Sequence, residues 1–166
     1  MGENIDARFG KGLGDEGWKN LNQRPKFPGI ELVIGNKEYI SAYTHGALTY
    51  GYPYMIDYGT TKGQEFVTAA PADTGTLFLR VVVPYRDEAA GVLAWLQTRG
   101  PCKAFANGAT DIVAGDYLKV AAAADNFVKD HATRTADGVA KMAAGYTTDE
   151  DILCDIVLLG IQSQVS

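Results

Sequence analysis

Apolar positions along this chain fall in short runs, each closed by turn residues, and the pattern is that of β-strands. Gly91 to Gln97, Cys102 to Ala106 and Tyr117 to Ala121 read as three strands. Gly100-Pro101, Asn107-Gly108 and Gly115-Asp116 supply the breaks between them, because glycine and asparagine tolerate positive φ and proline pre-sets a turn. Upstream, Ile30 to Ile34 and Glu38 to Tyr43 read as a hairpin around Gly35-Asn36. Tyr50, Tyr52 and Tyr54 alternate, which predicts three rings on one face of a strand. Gly59 to Gly63 then turns the chain and Gln64 to Ala69 continues it. Leu77 to Val83 is β-branched and almost wholly apolar, the signature of a central strand covered on both faces, with Arg80 directed to a rim or an interface. Asp125 to Lys129 reads as a turn into a short strand, Val139 to Ala144 as a strand or one helical turn, and Ile152 to Leu159 as a strong strand ending at Gly160.

Strands every 8 to 12 residues with polar turns between them predict an all-β fold, a single β-barrel, β-tulip or sandwich-like body. Residues 1–45 are more polar and glycine-rich, and Pro25 and Pro28 hold the chain around Phe27 extended. That stretch is read as an irregular N-terminal arm, and residues 46–166 as the β-rich body. Val81-Val82-Val83 and Ile156-Val157-Leu158-Leu159 form a faint internal echo.

Composition narrows the picture. A chain of 166 residues is expected to form one domain and to bury roughly 70% of its unfolded surface without help from disulfides or metal. Nineteen glycines, above the usual share of about 7%, favour turns and short strands over long helices. A formal charge of −5 argues against a nucleic-acid partner, which needs a basic face to displace counterions. No apolar run approaches the roughly 18 residues of a membrane helix, and no basic segment followed by an apolar core marks a secretory signal, so neither a membrane nor export is expected. Cys102 and Cys154 form no CxxC pair and are read as small half-buried side chains in a reducing compartment.

Candidate chemistry is thin. Gly12-Leu13-Gly14-Asp15-Glu16-Gly17 fits G-x-G-x-x-G as a string, but lacks the preceding strand and following helix that the nucleotide motif needs. His45 and His131 have no ligand at helical spacing, and Asp149-Glu150-Asp151 do not converge. Asp111 and Asp116, a formal carboxylate pair, sit beside turn residues where aspartate caps backbone N–H groups. No catalytic residue, metal site or cofactor is therefore expected, and the chain is read as a non-enzyme. The tyrosines are the best binding candidates, since exposed aromatic rows mark protein interfaces or sugar-binding faces.

The run Gly91-Val-Leu-Ala-Trp-Leu-Gln-Thr-Arg-Gly-Pro, then Ala104-Phe105-Ala106-Asn107-Gly108, then Val113-Ala114-Gly115-Asp116-Tyr117-Leu118, resembles the decoration (cement) proteins of tailed-bacteriophage heads. A Gly138-Val139-Ala140 step and the terminal apolar strand Ile156 to Leu159 follow in the same order; Gly145 to Asp151 is an insertion relative to that family. The resemblance implies a β-body on the exterior of the capsid within the virion, made in a host cytoplasm. It also implies a homotrimer that binds the major capsid protein and stabilises the head by bridging subunits. Phe9, Trp18 and Phe27 of the arm, with Tyr50, Tyr52 and Tyr54, are the partner-binding residues this reading selects. A carbohydrate- or receptor-binding β module of the tail-spike type is the alternative, and it predicts an aromatic platform at those three tyrosines.

Overall fold

A computed structural model describes residues 21–58, 66–69, 80–109, 111–121, 126–133 and 138–160. Its elements are ten strands: β1 (Glu31–Ile34), β2 (Lys37–Tyr43), β3 (Tyr54–Tyr58), β4 (Phe66–Ala69), β5 (Arg80–Val82), β6 (Leu93–Asn107), β7 (Tyr117–Val120), β8 (Phe127–His131), β9 (Ala140–Met142) and β10 (Asp151–Leu159). The fold is all-β, as the strand pattern predicts. Strands β6, β8, β7, β9 and β10 form a ring that closes when β10 returns to β6, so this half is a five-stranded barrel. Closure removes the open edges that strands otherwise expose. Small residues make so narrow a barrel possible: Ala104, Ala106 and Ala140 point inward beside Leu118, Phe127 and Ile156, and all six are at most 1% exposed.

The first half repeats the second. There β2, β4, β3, β5 and β6 follow one another, and a bridge between Val83 and Gln97 links β5 back to β6. The correspondence extends to register. Tyr39, Ile40, Ser41, Ala42 and Tyr43 face Gln97, Leu96, Trp95, Ala94 and Leu93. Pro101, Cys102, Lys103, Ala104 and Phe105 face Val157, Ile156, Asp155, Cys154 and Leu153 in the same order. Tyr54 opposite Val82 is matched by Leu118 opposite Ala140, and the Leu48–Glu88 bridge by Ile112–Tyr146. Each half also carries one parallel contact, Tyr43–Val67 and Ala106–Phe127, the second displaced by one residue along β6. Two five-strand units therefore share one strand. Val81-Val82-Val83 corresponds to residues 139–141 and Ile156 to Leu159 to Leu96 to Arg99, so the echo read from sequence joined the wrong partners.

The shared strand is the main departure from the sequence reading. Leu93 to Gln97 of the first predicted strand and Cys102 to Ala106 of the second lie in one 15-residue strand, β6, and Gly100-Pro101 bends it without ending it. Thr98 is the extra residue of a bulge opposite Glu38 and Tyr39, and its hydroxyl donates to the Glu38 carbonyl at 3.1 Å. Gly100 follows at φ 91°. A Cβ there would lie 2.2 Å from the Asn36 carbonyl oxygen, so only glycine fits both the backbone and the space. Beyond it β6 leaves β2 and runs along β10. The buried Gln97 side chain braces the bend: its Nε2 donates toward the carbonyls of Arg99, Gly100 and Pro101 at 3.1, 3.3 and 3.0 Å.

The hairpin around Gly35-Asn36 forms as read, with Glu31 opposite Ile40 and Ile34 opposite Lys37. Residues 31–43, within the stretch read as the arm, thus contribute two strands to the sheet. Their inward residues account for this, since Ile40 and Ala42 belong to the first unit's core and Leu32 and Ile34 pack over Trp95. Ahead of the hairpin, Leu21 is buried against Tyr39 and Trp95, and the Trp95 Nε1–H donates to the Gln23 carbonyl at 3.0 Å. Trp95 is an anchor under this strap on the outer face of β6, not a filler of a barrel interior. Val81, Val82 and Val83 are buried on both faces, as expected of a central strand, and Arg80 reaches Glu31 at 2.8 Å; residues 70–79 lie outside the described set. Val139 to Ala144 resolves as the strand β9.

Candidate functional site

The predicted tyrosine row does not assemble. Gly51, at φ 79°, and Pro53 break the chain into a loop, so only Tyr54 enters a strand. The three rings then part. Tyr54 packs against the first unit's core, and its hydroxyl accepts the Thr49 N–H at 2.9 Å. Tyr52 stacks on Phe105 with centroids 4.4 Å apart, tying the loop to the second barrel. Tyr50 lines a cleft, its backbone N–H bound to Asp87 Oδ1 at 2.7 Å. Phe27 is 66% exposed, yet its backbone is pinned by the Ser41 hydroxyl, which donates to the Phe27 carbonyl at 2.7 Å. Ile30 and Val33 are the neighbouring exposed apolar side chains. Phe9 and Trp18 lie outside the described residues.

The cleft, about 400 Å³, opens where the two units meet beside the bend in β6. Sequence reasoning missed it because its walls come from distant stretches: Tyr39, Tyr50, Tyr85, Pro84 and Pro101, with Lys37, Lys103 and Asp155 also lining it. Tyr39 and Tyr85 meet edge to face at 6.1 Å between centroids. Burial pushes the Tyr39 hydroxyl up to about 12 and raises that of Tyr85, so both rings are neutral near pH 7. Burial likewise pushes the Cys102 thiol up to about 12, which leaves little thiolate and a poor nucleophile. Lys103 pairs with Asp155 at 3.0 Å. The chemistry on offer is apolar and aromatic contact flanked by ammonium groups, a binding surface in character.

The other carboxylates serve local structure. Asp116, in the turn before β7, accepts the Val113 N–H at 2.9 Å through Oδ2, which also pairs with Lys129 at 2.9 Å. The backbone N–H first, and Lys129 second, lower its pKa below the ordinary value. A depressed folded pKa stabilises the fold fully above the unfolded pKa and loses that contribution as pH falls below about 4 through the folded value. Asp116→Asn should therefore flatten the acid limb of an unfolding-midpoint-versus-pH profile below pH 4; an unchanged limb would remove Asp116 from that role. Asp111 contributes its carbonyl to the same Lys129 at 2.8 Å, so the two aspartates are turn elements. Among the described residues no three or more His, Cys, Asp or Glu side chains are grouped to hold a metal ion, and no helix is long and apolar enough to cross a membrane.

No protein-family profile and no curated protein matches the chain. Among solved structures, the chain is similar to the head fiber gp8.5 N base in bacteriophage phi29. The likeness has 14% sequence identity and a TM-score of 0.48 over 76% of this chain and 97% of that one.

Proposed function

We propose that this chain is a structural, non-catalytic virion protein. It attaches to the outer surface of a phage capsid and bridges major capsid subunits, as a homotrimer, to stabilise the head. The observation that carries the reading is a group of exposed apolar side chains held on a hydrogen-bonded backbone beside the frame. The residues that resemble head decoration proteins build the frame: Trp95 to Pro101 form the braced bend of β6, and Gly115-Asp116 the turn into β7. Phe27, Ile30 and Val33, on the strap and the β1 edge, form one group of apolar side chains that face solvent; Val113, before the turn into β7, and Ile152 and Val157 on β10 face solvent as well. An exposed aromatic ring on a backbone fixed by hydrogen bonds loses little entropy when a partner covers it, which suits attachment to a repeating surface. A trimer multiplies weak single contacts through effective concentration.

The strap dictates where to cut. Removing residues 1–28 would strip Leu21 from Trp95 and Arg24 from Glu88, which it meets at 3.4 Å, and so would disturb the body. Removing residues 1–20 leaves those contacts in place. That truncation combined with Phe27→Ala should lower occupancy on purified phage heads at least tenfold, about 1.4 kcal/mol per site, with the unfolding midpoint of the truncated parent retained. Occupancy equal to the intact chain, read by particle electron microscopy, would sink the proposal.

A further inference from the structure

We propose that the cleft between the two units is a saccharide site, selective for a pyranose that carries a carboxylate. This goes beyond capsid attachment and does not rest on it. The main-chain groups of the walls are largely engaged already. Val83 and Gln97 exchange both of their bonds, at 2.9 and 3.0 Å, and the Pro84 carbonyl accepts the Gly51 N–H at 3.2 Å. Pro84 and Pro101 have no N–H to donate, and the Gln97 amide is turned onto the bend of its own strand. A peptide added as a strand is held through main-chain groups of that kind. In this cleft, recognition falls instead to side chains.

Those side chains combine flat apolar walls with a polar rim. Tyr39, Tyr50 and Tyr85 stand beside Pro84 and Pro101 around a volume of about 400 Å³, within the roughly 300–1,000 Å³ of small-molecule sites. Of the tyrosine row expected at 50, 52 and 54, only Tyr50 lines this cleft. Tyr85 supplies a ring alone, because its hydroxyl is bound to the Leu21 carbonyl at 2.7 Å. A pyranose has the complementary build: its C–H face packs on an aromatic ring, and its hydroxyls point outward around the edge. Lys103 Nζ and Asp155 Oδ1, 3.0 Å apart, set a donor and an acceptor side by side for neighbouring hydroxyls. Their side chains are 51% and 66% exposed, and an ion pair so open to water is weak, so sharing it with a sugar costs little.

Charge selects the kind of sugar. Lys37 and Lys103 line the cleft against the single carboxylate of Asp155, an ammonium excess on a chain whose formal charge is −5. Asp155 pairs with Lys103, whereas Lys37 forms no ion pair among the described residues. An unmatched ammonium beside aromatic walls complements a ring that bears a carboxylate.

Calorimetric titration of the full-length protein with tri-galacturonate should show saturable binding with a Kd of about 1 mM or tighter, and at least about tenfold weaker binding of neutral maltotriose. Lys37→Gln should weaken tri-galacturonate about fivefold or more and leave maltotriose unchanged, while Lys37→Arg keeps the parental preference. Tyr50→Ala, which removes a loop ring outside both cores, should abolish binding of either sugar. Should Tyr50→Ala fail to fold, the two Lys37 variants supply the same reading. Absence of saturation at about 10 mM tri-galacturonate overturns the proposal, and so does equal affinity for the two sugars. Binding that all three substitutions leave untouched overturns it by placing the sugar elsewhere. A dimer that forms in the parent and is lost in Tyr50→Ala also overturns it, by assigning the cleft to a second copy.

Discussion

Gly100→Ala is expected to destabilise the folded chain by about 3–4 kcal/mol, a large share of a domain's usual 5–15. Two costs combine. At φ 91° a residue with a Cβ carries about 1–2 kcal/mol of backbone strain. The added carbon would also lie 2.2 Å from the Asn36 carbonyl oxygen, with the Asn36 carbonyl carbon and Lys37 Cα at 3.1 Å. These are backbone atoms of the β1–β2 turn, so the hairpin must shift and its ladder to β2 must strain with it. Gly91→Ala is the matched control: its φ is 72°, and nothing lies within 4 Å of the added Cβ. It should cost only about 1 kcal/mol. Urea unfolding of the two variants reads the difference. Equal midpoints would show that the close approach to Asn36 is not made in solution.

Gln97→Leu should cost about 2–3 kcal/mol although the two side chains are similar in size. The glutamine amide donates toward three successive carbonyls at the bend, and Gln97 is 2% exposed, so leucine leaves the buried Gly100 carbonyl and the part-buried Arg99 and Pro101 carbonyls without that donor. Its own backbone pair with Val83, at 2.9 and 3.0 Å, survives the change and keeps the first unit's closure. Because Gln97 and Gly100 act on one bend, their combined variant should lose less than the sum of the two. An additive double variant, or a Gln97→Leu protein as stable as the parent, would show that the amide does not brace the strand.

Sequence made the strands legible and hid how they join. Leu93 to Gln97, Tyr117 to Val120 and Ile152 to Leu159 carry enough β-branched and apolar character to be read directly. Gly100-Pro101 reads as a turn because local rules treat glycine and proline as breakers. In a bent strand the same pair supplies the positive φ and the missing N–H, and only the tertiary partners Asn36 and Val157 decide between the two. The tyrosine row failed for the converse reason: alternation at 50, 52 and 54 outvoted Gly51 and Pro53, whose turn chemistry the structure obeys. The duplication leaves a trace in the sequence. Ala42-Tyr43 with Gly46-Ala47 and Ala104-Phe105 with Gly108-Ala109 are the same spaced pattern, and Gly100 and Gly160, at φ 91° and 69°, occupy matching positions, the first at the bend of β6 and the second just after β10. The cleft had no local signal at all, being made of residues far apart in the chain.

The single strand shared by the two units has a mechanical consequence. Domains strung on a linker, or docked through an interface, part at that seam when force is applied across them. Here each ring needs part of β6, so a pull that separates them is borne by the covalent backbone through Gly100 until one ring is torn open. There is no seam at which the two units can part with both rings intact.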